Sequence, residues 1–335
     1  MKNFIKYAFI GGFFLLTACS KTKTIGPGNP SHLSILQFIA HTPSLSLLDS
    51  AVLRVRLDTA MSSGGPYTFF APSDSAFQQA GITLDSIRTM DVQRLLGMLE
   101  YEVVNGRISG SAVPGFFKSQ FSCLHPLYQP FVTKNYYGIF INGIPVSAAD
   151  NELGDGVVQV TASVCVPPVG TQLQAMQQSK DMLFFAALAR QVWFFGRFVG
   201  NPSPYFTYYQ GNNEPLAFGN TLLVPTDSAF KAFGYPDSMS LVNDSANLMG
   251  NGGNIGLLTP YIFNGFDFTS DFLGGIVMGP YANQNVGAYY ESTPNGMSFI
   301  GNGLLQTPPP TIIGPDIISV NGVIQKIDQI FVPHS

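Results

Sequence analysis

Two ten-residue segments of the chain, 153 positions apart, are near copies of each other. The first reads TFFAPSDSAF, over Thr68–Phe77, and the second reads TLLVPTDSAF, over Thr221–Phe230, with six identical positions. In each copy a β-type apolar run ends at a proline, which cannot donate to a strand ladder. The hydroxyl residue that follows is suited to cap a helix, and the aspartate after it suits the positive helix end. Each segment therefore predicts a strand-to-helix corner.

Two further markers repeat in the same order. GVVQVTASVCVP, over Gly156–Pro167, matches GVIQKIDQIFVP, over Gly322–Pro333, and both are typical of a strand that follows a turn glycine. Apolar runs that close on Asn-Gly lie between corner and strand in each half, at Leu95–Gly106 and Ile255–Gly265. Three markers in one order, present twice, predict tandem domains. The length of 335 residues suits two domains of about 150 residues each.

These segments resemble the signatures of the fasciclin domain family. The first signature lies almost letter for letter at Thr68–Phe77, and the closing signature lies at Asn321–Pro333 and, more loosely, at Asp155–Pro167. The resemblance implies an α+β fold of two tandem domains, each a β-sandwich wedge with helices packed on one side. It also implies adhesion or extracellular binding rather than catalysis. The signature residues are Thr68, Pro72, Asp74, Phe77, Thr221, Pro225, Asp227 and Phe230.

The chain departs from the family at a position tied to partner binding. The family often has a Tyr-His pair there, linked in some animal members to integrin binding. The first copy instead reads Tyr101-Glu102, and the second reads Pro260-Tyr261. That partner is therefore not transferred to this chain.

The N-terminus predicts export and a lipid anchor. Lys2 and Lys6 precede an apolar stretch, Tyr7–Ala18, that is too short to span a bilayer. The stretch ends in Leu-Thr-Ala-Cys, which resembles the bacterial lipobox and implies lipidation of Cys19 in the outer membrane of a Gram-negative bacterium. The alternative is a cleaved secretory peptide with a chance cysteine. The predicted organisation is a signal peptide over 1–18, a flexible tether over 19–31, and fasciclin domains over 32–168 and 169–335.

Composition argues against several other functions. The net charge is −4 and no basic run occurs, which disfavours nucleic acid as a partner. The four histidines are not at metal-ligand spacing, and we expect no metal and no cofactor. Asp150, Glu152 and Asp155 are close together, and we interpret them as a solvated acidic turn, with a calcium site as the alternative.

Three smaller features of the sequence bear on its thiols, a buried helix and modification. An oxidising compartment would permit a disulfide between Cys123 and Cys165, with two buried free thiols as the alternative. Met182–Val199 predicts a buried helix, since its charges make it a poor membrane span. Seven Asp-Ser or Asp-Thr tripeptides, which begin at Asp49, Asp58, Asp74, Asp85, Asp227, Asp237 and Asp244, are similar to bacterial O-glycosylation acceptors, although helix capping also explains such pairs.

Tyrosine-rich loops of the second domain are the predicted ligand surface. Tyr205, Phe206, Tyr208 and Tyr209 lie among Pro, Gly and Asn residues that place a segment at the surface. A second cluster contains Tyr289 and Tyr290. Such rings suit sugars or a protein partner, and the alternative is that they cover their own domain. The predicted function is adhesion or binding at the cell envelope. The alternatives are a passive structural spacer and a glycan-acting enzyme with a carboxylate pair.

Overall fold

A computed structural model describes residues 33–62, 64–110, 115–191, 199–201, 205–206, 217–244, 262–272, 275–277, 288–293, 296–301 and 310–330. The predicted signal peptide and the predicted tether, with Cys19, lie outside these ranges. The residues up to 168 are called the first unit below, and those from 169 onwards the second unit. The first unit has the helices α1 (Ile35–His41), α2 (Ser46–Val55), α3 (Leu57–Met61), α4 (Asp74–Gln79), α5 (Leu84–Thr89) and α6 (Val92–Glu102), and a 3-10 helix over Pro43–Leu45. The second unit has α7 (Gln172–Gln178), α8 (Leu183–Gln191), α9 (Asp227–Phe233) and α10 (Ser238–Asn243), and a 3-10 helix over Thr269–Asp271.

Strands make up the rest of the regular structure. Those of the first unit are β1 (Tyr67–Pro72), β2 (Val103–Asn105), β3 (Phe117–Gln120), β4 (Phe131–Asn135), β5 (Gly138–Ile141), β6 (Ile144–Glu152) and β7 (Gly156–Thr161). Those of the second unit are β8 (Tyr205–Phe206), β9 (Ala217–Phe218), β10 (Asn220–Pro225), β11 (Ile262–Asn264), β12 (Gly275–Val277), β13 (Ala288–Thr293), β14 (Gly296–Gly301), β15 (Ile312–Ser319) and β16 (Gly322–Ile327). The fold is α+β, as predicted.

The predicted corner occurs in both units. β1 ends at Pro72 and α4 follows, with the Ser73 hydroxyl accepting from the Ala76 backbone N–H at 3.2 Å. In the second unit β10 is followed by α9, and Thr226 caps the Ala229 N–H at 3.3 Å. The two corners are therefore built alike.

The sheets repeat around these corners. In the first unit the strand order is β2-β1-β7-β6-β5-β4-β3, and in the second a four-stranded sheet has the equivalent order β11-β10-β16-β15. β1 pairs with β7 in parallel, and β10 pairs with β16 in the same way, in matching register. The second unit therefore repeats the central topology of the first.

Strand β1 separates two apolar cores, because successive side chains of a strand point to opposite faces. Phe69 packs on one face with α2 and α6, through residues such as Leu48 and Leu95. Phe70 packs on the other face with residues of β4 and β5, such as Val132. Helices therefore cover one side of the sheet, while its curled strands enclose the second core on the other side.

The apolar segment over 182–199 is described up to Gln191. There it forms α8, whose Phe184, Phe185 and Leu188 are buried in the core of the second unit. The prediction of a buried helix is confirmed for this part. Among the described residues, no helix has the length and apolar character needed to cross a bilayer.

Candidate functional site

Lys118 of β3 joins the first unit to the second. Its ammonium lies 2.7 Å from Asp271 Oδ2 and 3.1 Å from Asp267 Oδ1, and it also donates to the Phe266 carbonyl. The side chains of Lys118 and Asp271 are 29% and 10% exposed, so water screens this pair less than it screens a surface pair. Burial raises the pKa of Asp267, and Lys118 opposes that rise.

Aromatic rings pack beside this ion pair. The Phe131 ring of β4 lies 5.0 Å from the Phe266 ring and 6.0 Å from the Phe268 ring, centroid to centroid. The Lys118 ammonium lies 5.8 Å and 5.7 Å from the ring centroids of Phe131 and Phe268, within cation–π range. The junction thus buries apolar area and a paired charge together.

Hydrogen bonds extend the junction along β4. The Thr133 hydroxyl donates to Asp271 Oδ1 at 2.9 Å, and the Asn135 amide donates to the Ser270 carbonyl at 2.6 Å. Alternate residues of one strand thus contact the same 3-10 helix. The geometry indicates a specific junction rather than two units joined only by a linker.

Asp316, which has a left-handed backbone conformation, accepts a hydrogen bond from the first residue of that 3-10 helix. Asp316 has a φ of 59°, and its carboxylate accepts from the Thr269 N–H at 2.8 Å and from the Gln325 amide at 2.8 Å. The first unit repeats the arrangement, with Asp150 at a φ of 60° and Gln159 as its amide partner. Burial raises the pKa of Asp316, and its hydrogen bonds oppose that rise.

A cleft of about 410 Å³ opens where the units meet. Its apolar lining includes Ile144, Pro145 and Val166 of the first unit and Pro315 and Ile318 of the second. Polar residues such as Ser163 and Thr269 also line the cleft. Apolar walls with a few polar groups are typical of a small-ligand or peptide site.

The signature aspartates make contacts beyond those that the sequence predicts. Asp74 lies in the first turn of its own helix, as predicted, and its carboxylate also accepts from the Leu47 N–H at 2.8 Å and the Ser46 hydroxyl at 2.7 Å, at the start of α2. Asp227 likewise accepts from the Phe184 N–H of α8 at 2.8 Å. Each aspartate therefore caps a helix that lies tens of residues earlier, because the fold brings that helix beside the corner.

The other signature residues are structural. Thr68 donates to the Gly106 carbonyl and accepts from the Ile108 N–H, and Thr221 makes the equivalent bonds to Gly265 and Asp267. Each threonine thereby secures the Asn-Gly turn. Phe77 and Phe230 are buried in the cores, and Pro72 and Pro225 end their strands.

The predicted tyrosine surface lies mostly outside the described residues. Tyr208 and Tyr209 are outside them altogether. The structure describes the backbone of Tyr205 and Phe206, in β8, and of Tyr289 and Tyr290, in β13. β13 pairs with β12 and β14, so this tyrosine pair lies on a strand rather than in a loop.

Sequence reasoning missed an aromatic pair in the first unit. Tyr136 and Tyr137 form the turn between β4 and β5, with 85% and 75% of their surface exposed. Their rings meet edge to face, with centroids 5.6 Å apart. The signal in the sequence was two adjacent tyrosines just before a glycine, between two short β-type runs.

Cys123 and Cys165 carry free thiols in the structure, so the disulfide that the sequence left open between them is not formed there. The Cys123 thiol donates to the Tyr128 carbonyl at 3.1 Å, and Cys165 is buried. Burial raises the pKa of Cys123 to about 11 and that of Cys165 well above its ordinary value. Glu102 is buried beside Cys165, accepts from its N–H at 2.9 Å, and has a pKa that burial raises strongly.

The acidic turn is held by protein groups. Asp150 accepts from Gln159, Glu152 lies 3.5 Å from Arg107, and Asp155 accepts from the Ile35 N–H at 2.8 Å. Among the described residues, no three His, Cys, Asp or Glu side chains are grouped to hold a metal ion. Their geometry supports a structural role for the turn.

Known proteins share part of this arrangement. Residues 43–167 match the family model described as Fasciclin domain. Protein sll1483 of Synechocystis is 29% identical over 141 residues, which are 42% of this chain and 76% of that protein. A solved FAS1 domain pair from the insect cell adhesion molecule fasciclin I is 14% identical, with a TM-score of 0.39, covering 86% of this chain and 97% of that one. Residues 43–167, most of the first unit, are therefore similar to a fasciclin domain.

Proposed function

We propose that this chain is a lipid-anchored binding or adhesion protein of the cell envelope, held in the outer membrane of a Gram-negative bacterium. Fasciclin domains are typically adhesion or binding modules. The repeated corner and sheet order support a second fasciclin domain after the first. The lipobox-like Leu-Thr-Ala-Cys supports the anchor at Cys19.

The observation that carries the binding role is the junction at Lys118. Its ion pair, its packed rings and its hydrogen bonds hold the two units together. The units thereby present one continuous surface with a cleft between them. We propose that a glycan or a protein segment binds the chain, with Tyr205, Phe206, Tyr208 and Tyr209 as its main contact and the Tyr289–Tyr290 strand assisting.

A binding screen of the purified full chain tests the proposal, against envelope glycans, host glycans and matrix proteins. Val166→Trp fills the cleft, whereas Val169→Trp alters a valine that is 78% exposed and does not line it. Binding in the cleft predicts lost affinity in the first variant and unchanged affinity in the second. Lost affinity in a folded Tyr205→Ala, Tyr208→Ala, Tyr209→Ala variant would assign the contact to these tyrosines.

The same screen separates the other functions. Absence of binding to every member of the panel would support a passive spacer, and turnover of a glycan would support an enzyme. Intact mass of the native protein and of Cys19→Ala tests lipidation, and protease treatment of intact cells tests which side of the membrane the units face. A native mass equal to the unlipidated chain would contradict the anchor.

A further inference from the structure

Three exposed aromatic side chains lie together at one end of the sheet of the first unit. Tyr136 and Tyr137 form the β4–β5 turn, and Phe116 directly precedes β3, which pairs with β4 beside that turn. Phe116 is 73% exposed. These three residues are called the aromatic tip below. Exposed aromatic clusters of this kind mark an interaction surface more often than scattered apolar residues do.

Turn geometry does not account for the two tyrosines. The Asn135 side chain accepts from the Tyr137 N–H at 2.8 Å, and Gly138 provides a φ of 138°. These two residues meet the conformational needs of the turn, and small polar residues are the usual choice between them. With 85% and 75% of their surface exposed, the tyrosines contribute little to either core.

The tip lies at the end of the sheet where the chain enters the fold. β5 and β6 are antiparallel, so the β4–β5 and β6–β7 turns project from the same end of the sheet. The β6–β7 turn holds the start of the fold, since Gly154 N–H donates to the Leu33 carbonyl at 3.0 Å and Ile35 N–H donates to Asp155 at 2.8 Å. The two turns are two strands apart across the sheet, roughly 10 Å, and the register places the β6–β7 turn about four residues, roughly 13 Å, further along the strand direction.

This position places the tip within reach of the membrane. The inference rests on the proposed lipid at Cys19, which precedes the fold by a short tether. The predicted tether, 19–31, has 13 residues, and a flexible linker of that length has an r.m.s. span of roughly 20 Å. We propose that the aromatic tip inserts into the headgroup region of the lipid bilayer and orients the first unit on it.

The chemistry of the tip suits a bilayer interface. Tyrosine has an apolar ring and a polar hydroxyl, and such rings concentrate at membrane–water interfaces. A single lipid chain with a second apolar contact binds more firmly than the chain alone. Lys118 and Lys134, the lysines of the neighbouring strands, are engaged with Asp271 and with the Gly110 carbonyl. Contact therefore does not depend on anionic lipid and does not change with salt.

Tryptophan reporters test the proposal on the full chain. Tyr136→Trp places a reporter at the tip, and Leu127→Trp places one in the β3–β4 loop, at the opposite end of these strands, where Leu127 is 76% exposed. Each protein is attached through Cys19 to zwitterionic phosphatidylcholine–phosphatidylethanolamine vesicles. The attachment is its own lipid or, where the purified chain carries none, a thioether to a maleimide lipid. The unmodified chain, with its single tryptophan, provides the background.

We expect added fluorescence from Tyr136→Trp that shifts to the blue and is quenched by headgroup-level nitroxide lipids, at low and high salt alike. Leu127→Trp should show neither effect. Equal quenching of both reporters, or none at Tyr136→Trp, would overturn the tip proposal, as would a response to soluble glycans without one to vesicles. Intact mass tests the lipid anchor separately, so a failure of the anchor proposal can be told apart from a failure of the tip proposal.

Discussion

The Lys118 ammonium lies 2.7 Å from the Asp271 carboxylate, across the junction of the two units, although the two residues are more than 150 positions apart in the sequence. Lys118 also faces Asp267 and two phenyl rings. One side chain therefore neutralises two carboxylates and packs on apolar surface. We therefore expect the stability of the junction to depend on Lys118 more than on an exposed ion pair.

We predict that Lys118→Ala lowers the free energy of unfolding by about 1–3 kcal/mol, because two carboxylates would face each other without a cation. Urea denaturation measures the change. Arg88→Ala is the matched control, since it breaks a surface pair with Asp85 whose side chains are 66% and 89% exposed. Equal effects of the two substitutions would contradict the role of Lys118.

Gly143 is predicted to tolerate no side chain. A Cβ there would lie 2.5 Å from Asp316 Oδ2 and 3.0 Å from Phe268 Cβ, on a backbone with a φ of 81°. Gly81 has a similar φ of 69°, with nothing within 4 Å of its Cβ position. Both alanine variants should lose about 1–2 kcal/mol of stability to left-handed backbone strain. Gly143→Ala should lose about 1 kcal/mol more, because its Cβ would overlap neighbouring atoms. Similar melting temperatures for the two variants would refute the close approach.

Asp74→Ala should destabilise the first unit by about 0.5–2 kcal/mol through the lost cap of α2. Hydrogen exchange should show the loss at the Leu47 amide, which donates to Asp74. Ligand binding should be retained in proportion to the folded fraction. Asp85→Ala, which alters an exposed carboxylate at the start of α5, is the control. Lost binding at unchanged melting temperature would show that Asp74 has a direct role.

Glu102→Gln should remove a pH dependence. Burial raises the folded pKa of Glu102 far above its ordinary value of 4.5, so the folded state keeps a proton that the unfolded state releases. Stability of the unmodified protein therefore falls as pH rises above about 4.5, by at most about 1.4 kcal/mol per unit. The variant should gain relative stability from pH 4.5 to pH 8. Parallel pH profiles of the two proteins would contradict a neutral buried Glu102.

Thiol reactivity follows from burial. In a Cys19→Ala background, Cys123 should alkylate slowly at pH 7 and faster as pH approaches 11, because burial raises its pKa to about 11 and the thiolate is the nucleophile. Cys165 should react only on unfolding, since it is 1% exposed. Two thiols should titrate in denaturant before reduction. No thiols before reduction and two after it would show a disulfide.

The sequence by itself determined the local structure of the corners. A proline that cannot extend a ladder, a capping hydroxyl and a buried phenylalanine act within a few residues, and Ser73 and Thr226 cap as predicted. The repeat of these corners also predicted tandem domains, while the α+β fold was implied by the resemblance to the fasciclin family. The partner of Asp74 was not predictable in this way, since Leu47 lies 27 positions earlier.

Only the tertiary structure decided where the units meet and what stays exposed. Lys118 has ordinary neighbours in the sequence, and its carboxylates lie about 150 positions away. The sequence analysis did not single out Tyr136 and Tyr137, and the pairing of β4 with β5 places them at a solvent-exposed turn. Capping and strand ends depend on adjacent residues, whereas junctions and exposure depend on how distant segments pack. For that physical reason the corners could be predicted from the sequence, whereas the junction and the exposed tyrosine turn could not.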